Sequence, residues 1–293
     1  MASGADAART QGRVPVDVDE SLPQGGDLVR RHRLSTRIWH WVNALALLVL
    51  LMSGLMIFNA HPRLYWGEYG ANFDYAWLEI GQRGGQGFLR IGSLRVPTGH
   101  WLGAWIDAGG IERHRAFPYW ATLPSKYSLA DGRVWHLAFA WVLALGLFVY
   151  LLWSLVNGHL ARDIHIRRSE WRPSHIWRDI KAHARLRFPA GAAALRYNVL
   201  QKISYAVVLF GLIPLMIVTG LAMSPGTDAW APLVTAVFGG RQSARSLHFL
   251  CAWGLVAFVV VHVVMVLLAG PFNEVRSIVT GKYRLPRDPS ARE

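Results

Sequence analysis

Long apolar runs alternate with short polar breaks along this chain. Four stretches, at about 38–58, 134–156, 203–223 and 247–269, are almost free of charge. Roughly 20 residues of helix cross a hydrocarbon layer of about 30 Å, so each stretch predicts a membrane-spanning helix. Pro214 interrupts the third and predicts a kink, which membrane helices tolerate when neighbours re-satisfy the freed carbonyl. Gly54, Gly146, Gly211 and Gly220 lie inside these runs, where a missing side chain lets another group approach the backbone closely.

The expected fold class is therefore an all-α membrane protein, a four-helix bundle. It carries a large insert, residues 59–132, between the first and second helices. A structureless loop of that size would be unusual. Trp66, Trp77, Trp101, Trp105 and Trp120 lie in it among Gly, Pro and mixed charges. This reads either as interfacial aromatics on a small capping subdomain or as a docking platform for an extramembrane partner. Its Gly84-Gly85-Gln86-Gly87 stretch lacks the Gly-Lys-Ser/Thr ending of a phosphate loop, so no nucleotide role is assigned to it. The expected organisation is a 37–270 membrane domain containing the insert and a 157–197 loop, between tails at 1–36 and 271–293. The first tail lacks the apolar core of a cleavable signal peptide, which makes the first helix an uncleaved anchor.

Composition agrees, with 53% of residues apolar and only 17% charged, fewer charges than a soluble surface of this size needs. The net charge of +13 would ordinarily suggest nucleic acid. Here the basic residues cluster beside the apolar runs, which points to topology instead and to no nucleic-acid partner. Arg30, Arg31, Arg33 and Arg37 lead into the first helix. Arg162, Arg167, Arg168, Arg172, Arg178, Lys181, Arg185 and Arg187 lie between the second and third, opposed by Asp163, Glu170 and Asp179. Arg276, Lys282, Arg284 and Arg287 follow the fourth. The positive-inside rule then places both termini and the 157–197 loop in the cytoplasm of a bacterial inner membrane, with the insert in the periplasm. The single cysteine, Cys251, excludes an intrachain disulfide, a multi-cysteine metal site and the Cys-x-x-Cys-His attachment of c-type haem.

Of twelve histidines, four fall inside the predicted helices or at their ends: His40, His136, His248 and His262. A polar side chain is costly there without a partner, so each is a functional candidate. A single one could equally make an interhelical hydrogen bond; the arrangement carries the argument. His248 and His262 are fourteen residues apart, which puts them on one helix face, about 21 Å apart along the axis. Topology places His136 level with His248 on the periplasmic side, and His40 level with His262 on the cytoplasmic side. Two imidazoles complete the axial coordination of a haem iron, so the pairs predict two haem b groups stacked across the bilayer. Gly54, fourteen residues after His40, would leave room for the outer haem ring or serve helix packing alone. Arg37 and Arg133, each three residues before a proposed ligand, are candidates for neutralising haem propionates, or are ordinary interfacial arginines.

This pattern resembles the cytochrome b561-like superfamily, which includes membrane subunits of formate dehydrogenase-N and nickel–iron hydrogenase. Arg196-Tyr197-Asn198-x-x-Gln201-Lys202 is similar to a Lys-Tyr-Asn-x-x-Gln-Lys segment of formate dehydrogenase gamma subunits. Leu129-Ala130-Asp131-Gly132-Arg133-Val134-Trp135-His136, after Pro124 and Tyr127, together with the long insert, resembles the branch labelled thiosulfate reductase cytochrome b subunit. The resemblance implies a quinone site beside the inner haem, with Asn198 and Gln201 as hydrogen-bonding candidates; Asn198 could instead cap its helix. It also implies a periplasmic redox partner, molybdenum-containing or a cytochrome c, that carries the substrate chemistry. The expected role is electron relay between that partner and the quinone pool. One alternative is a self-contained haem oxidase passing electrons from a diffusible reductant such as superoxide to quinone. A transporter using membrane histidines is disfavoured, because the four spans hold no carboxylate.

Overall fold

The computed structural model describes residues 26–158, 165–166, 170–185 and 198–285. Its frame is four helices long and apolar enough to cross a membrane: α1 (Leu34–Phe58), α2 (Leu129–Val156), a third span over Val199–Ala222, and α8 (Arg241–Ala269). The shorter helices α3 (Pro173–Ala184), α6 (Pro225–Trp230) and α7 (Pro232–Ala236) lie in the connections. Each span begins four to six residues before the apolar run that predicted it. The added turns are polar, and two of them, at α2 and the third span, begin with a side-chain cap. At α2, Ser128 accepts a hydrogen bond from the Asp131 backbone N–H, satisfying a donor that a helix start leaves orphaned.

The third span is a composite. Helix α4 (Val199–Ala206) runs through a π-helical segment, Val207–Leu212, into α5 (Ile213–Ala222). Pro214 lies two residues beyond the end of that segment, so the predicted interruption takes the form of a wider turn ahead of a residue that has no N–H to give. Between the helices lies a core of Ala46, Leu50, Leu143, Leu147, Val208, Ile213 and Leu255. Leu45, Leu145, Phe148, Val260 and Leu267 are exposed on the outer faces, as expected of helices solvated by lipid.

The insert corrects the all-α expectation. Strands β2 (Arg63–Leu64), β3 (Leu78–Arg83), β4 (Gln86–Ile91) and β5 (Leu94–Gly99) form an antiparallel sheet in sequence order, beside a small ladder of β6 (Trp105–Ile106) and β7 (Glu112–Arg113). Gly84 and Gly85, at φ +60° and +78°, connect β3 to β4 where Arg83 pairs with Gln86. A two-residue turn with both φ values positive has the hand that matches strand twist, so the glycine-rich stretch is a hairpin turn. Leu64, Leu78 and Ile80 from the sheet pack with Phe58, Ala116 and Phe117, and Phe249 of α8 packs against that cluster.

The insert is also bonded to the start of α8. The Gly67 carbonyl accepts from Gln242 N and Ser243 N, each at 3.1 Å, capping two orphan donors of that helix. Ser243 Oγ accepts from Gly67 N at 2.7 Å, Trp77 Nε1 donates to Ser246 Oγ at 2.9 Å, and Ser246 Oγ donates to the Tyr65 carbonyl at 2.6 Å.

At the opposite end of the bundle the two flanks of the chain meet. Strand β1 (Leu28–Arg30) pairs antiparallel with β8 (Lys282–Arg284), which follows a short helix, α9 (Pro271–Thr280). The flanks at 28–30 and 271–284, expected as parts of tails, thus carry regular structure; residues 1–25 and 286–293 lie outside the described residues.

Candidate functional site: two histidine pairs within the bundle

The structure brings the four membrane histidines together in twos. His136 of α2 and His248 of α8 have ring centroids 6.2 Å apart, at the insert end of the bundle. His40 of α1 and His262 of α8 are likewise 6.2 Å apart, at the end where the termini meet. Two imidazoles gripping one metal through bonds of about 2 Å each have ring centres roughly 6 Å apart. Both pairs therefore have the spacing of a flat group held between two axial nitrogens.

Hydrogen bonding at the insert-side pair fits that use. Ser53 Oγ donates to the Val49 carbonyl at 2.6 Å and lies 3.0 Å from His136 Nδ1. With its proton committed to the carbonyl, the hydroxyl accepts from Nδ1–H, which leaves the Nε2 lone pair for a metal. Thr219 repeats the arrangement: Oγ1 donates to the Leu215 carbonyl at 2.6 Å and sits 3.0 Å from His248 Nδ1. The next residue in each case is glycine. A Cβ on Gly54 would come within 3.3 Å of His136 Cε1, and one on Gly220 within 3.5 Å of His248 Cε1. Gly54 thus makes room for the imidazole.

The termini-side pair is built differently. His40 Nδ1 is buried without a hydrogen-bond partner. His262 stacks on Phe258, with ring centroids 5.9 Å apart and planes 16° apart. Among the described residues no hydroxyl supports either ring.

Three of the four membrane histidines have an arginine three residues before them, and only two of those arginines figured in the sequence reading. Arg133 is exposed, and its side chain forms no hydrogen bond or ion pair among the described residues. Arg37, one turn before His40, donates to the Val279 carbonyl of α9. The third, Arg245, precedes His248 by three residues and is the one that packs into the site. Its Nη2 donates to the His61 carbonyl at 2.5 Å and its guanidinium lies 5.7 Å from the Phe58 ring, with no carboxylate among the described residues to pair it. A cation out of water calls for an anion, and a propionate at the insert-side pair would supply one.

Asn198 and Gln201 form a capping box at the start of α4. Asn198 Oδ1 accepts from Gln201 N at 2.9 Å, and Gln201 Oε1 accepts from Asn198 N at 3.2 Å. The cap occupies one oxygen of each amide. Lys202, next in the chain, is buried and bonds Glu170 at 2.8 and 3.0 Å, tying the 157–197 loop to this helix. Arg196 and Tyr197 of the same motif lie outside the described residues.

Sequence reasoning missed Ser53, Thr219 and Arg245. The available signal was repetition: Ser53-Gly54 and Thr219-Gly220 are two hydroxyl–glycine steps in alternate spans, and Arg245-x-x-His248 repeats the spacing of Arg37 and Arg133.

Comparison with known proteins follows the same outline. The putative protein-methionine-sulfoxide reductase subunit YedZ1 of Azospira oryzae is 24% identical over 79% of this chain and 87% of its own length. Probable Ni/Fe-hydrogenase B-type cytochrome subunits of Cupriavidus necator and Bradyrhizobium diazoefficiens are also 24% identical. The first aligns over 92% of this chain and 93% of itself, the second over 90% and 87%. No solved structure matches the chain. The family described as prokaryotic cytochrome b561 matches residues 31–281. That range runs from just after β1 to just before β8 and takes in every span, the insert and all four paired histidines, so the chain is a multi-pass membrane protein of the prokaryotic cytochrome b561 family.

Proposed function

We propose that this chain is the dihaem cytochrome b subunit of an oxidoreductase complex, relaying electrons across the inner membrane between a periplasmic redox partner and the quinone pool. The observation that carries the proposal is the pair of imidazole clamps, each with centroids 6.2 Å apart, at opposite ends of α8. When bound, the two haems would supply one-electron chemistry. His136 and His248 would hold the insert-side group, and His40 and His262 the termini-side group. Ser53 and Thr219 fix the tautomers of the first pair. Arg245, with Arg133 at the surface, would face the propionates of the insert-side group. The amide nitrogens of Asn198 and Gln201 are the donors for a quinone carbonyl.

The relatives support a subunit role, since they are named as subunits of hydrogenase and of methionine-sulfoxide reductase. With one cysteine, the chain has no thiolate set for a nickel–iron centre, which fits substrate chemistry on another subunit. Trp66, Trp101 and Trp120, 53–79% exposed on the insert, give such a partner aromatic surface to meet.

The test is a haem count on the purified chain, with a dithionite-reduced spectrum. Two b-type haems per chain, titrating separately, are expected. A haem-replete preparation with one haem, or with none, would overturn the proposal. Mild-detergent purification should also retain a redox subunit; repeated isolation of an active lone chain would favour the self-contained oxidase.

A further inference from the structure

The clasp between the two flanks of the chain builds a concentration of positive charge that neither histidine pair requires. Strands β1 and β8 place Arg30 directly opposite Lys282. Like charges facing each other across a strand pair are destabilising, so this register is an unfavourable choice for the isolated chain. Arg37 adds a third cation. The three, with Leu28 and Thr280, line a cleft of about 380 Å³ with no carboxylate in its wall.

The carboxylate of α9 does not relieve the charge. Glu274 of α9 is taken by Arg31, whose Nη1 bonds both its oxygens at 3.0 and 3.2 Å. Among the described residues, none of Arg30, Arg37 and Lys282 forms an ion pair. Gly281 keeps the cleft open. Its φ is +83°, and a Cβ there would sit 2.9 Å from the His32 carbonyl and 3.5 Å from Arg37 Nη1. A larger residue would be strained and would crowd the guanidinium.

Apolar surface lies beside the charge. On α9, which leaves the end of the fourth span, Phe272 is 92% exposed, Val275 46% and Val279 47%. Positions three and four apart share one helix face, so these residues form an outward stripe. Leu28, at the edge of the cleft, is 49% exposed. An anionic head beside an apolar stripe at the mouth of a membrane bundle matches one class of molecule.

We infer that this cleft binds the phosphate headgroup of an anionic phospholipid, with an acyl chain along the Phe272–Val275–Val279 stripe. Arg30 and Lys282 would meet the phosphodiester from the two strands, and Arg37 from the helix, removing the repulsion built into the register. The proposal needs only the membrane setting and stands whether or not the chain holds two haems.

The test uses the delipidated full chain in detergent, with phosphatidylglycerol or phosphatidylcholine added. Phosphatidylglycerol should raise Tm and survive on the protein in native mass spectrometry, and phosphatidylcholine should do neither. The double substitution Arg30→Gln/Lys282→Gln should weaken phosphatidylglycerol binding at least tenfold and remove its Tm increment. Its lipid-free Tm should equal or exceed that of the natural chain, because a like-charge pair has gone. Phe272→Ser should weaken binding without altering any charge, and it covers the case in which the double variant folds poorly. Unchanged phosphatidylglycerol binding in both variants would overturn the inference. So would an equal Tm increment from inorganic phosphate. A double variant that shifts a haem potential while keeping its lipid would assign the cleft to a propionate instead.

Discussion

A histidine is a better-oriented ligand when its second nitrogen is held, and at the insert-side pair the holders are Ser53 and Thr219. An Nδ1–H that donates to oxygen makes the imidazole more basic and favours ferric iron. Ser53→Ala or Thr219→Ala should therefore raise the midpoint potential of the insert-side haem. One buried hydrogen bond corresponds to a shift on the order of 20–60 mV. The other haem should not move, and a redox titration that shifted both equally would rule out a local effect. His262→Ala should remove the termini-side haem and leave most of the insert-side spectrum; losing neither haem would undo the pairing. The histidines were legible in the sequence because an imidazole stands out in an apolar run. The hydroxyls were not, because a serine or threonine in a membrane helix satisfies itself on the carbonyl four residues back, as Ser53 and Thr219 both do. Only the neighbouring helix reveals the second bond.

Elements were legible to the extent that burial in lipid, and not local capping, decided them. All four spans were predicted, yet their first turns were missed because a polar helix end has the hydropathy of a loop. The sheet in the insert was missed for a related reason: β3 and β4 have six residues each, too few to give a firm alternating pattern against glycines and aromatics. The capping box at Asn198 separates two roles at one residue. Asn198→Ala should cost about 1 kcal/mol of stability through the lost cap. If inhibitor binding at the quinone site then stays at the natural level for both Asn198→Ala and Gln201→Ala, the amides only cap. In the sheet, burial alone would raise the pKa of Glu79, but hydrogen bonds from Arg90 and Arg63, with their charges, outweigh it and hold the carboxylate below its ordinary 4.5. A depressed carboxylate stabilises the fold above its unfolded pKa, and that contribution is lost as pH falls through the lower folded value. The insert should therefore loosen on acidification below about pH 4.5. Hydrogen exchange over 78–91 would follow this, and Glu79→Gln should flatten the dependence.

At the scale of the whole molecule, topology could be read from charge and hydropathy, because a bilayer punishes both misplaced charge and unsatisfied backbone. The tertiary clasp could not. Neither Leu28–Arg30 nor Lys282–Arg284 carries a signal that it pairs with the other, since three-residue strands separated by the whole chain are specified only by the folded bundle. Both histidine pairs, moreover, draw one member from α8, and its first turn is capped by the insert. Ribosomal synthesis delivers that helix after the other three spans. A nascent chain, however well its first three spans are inserted, therefore has no complete site to offer a cofactor. Cofactor loading then becomes a report that translation has passed α8, and a product stalled before that helix stays colourless and redox-silent in the membrane.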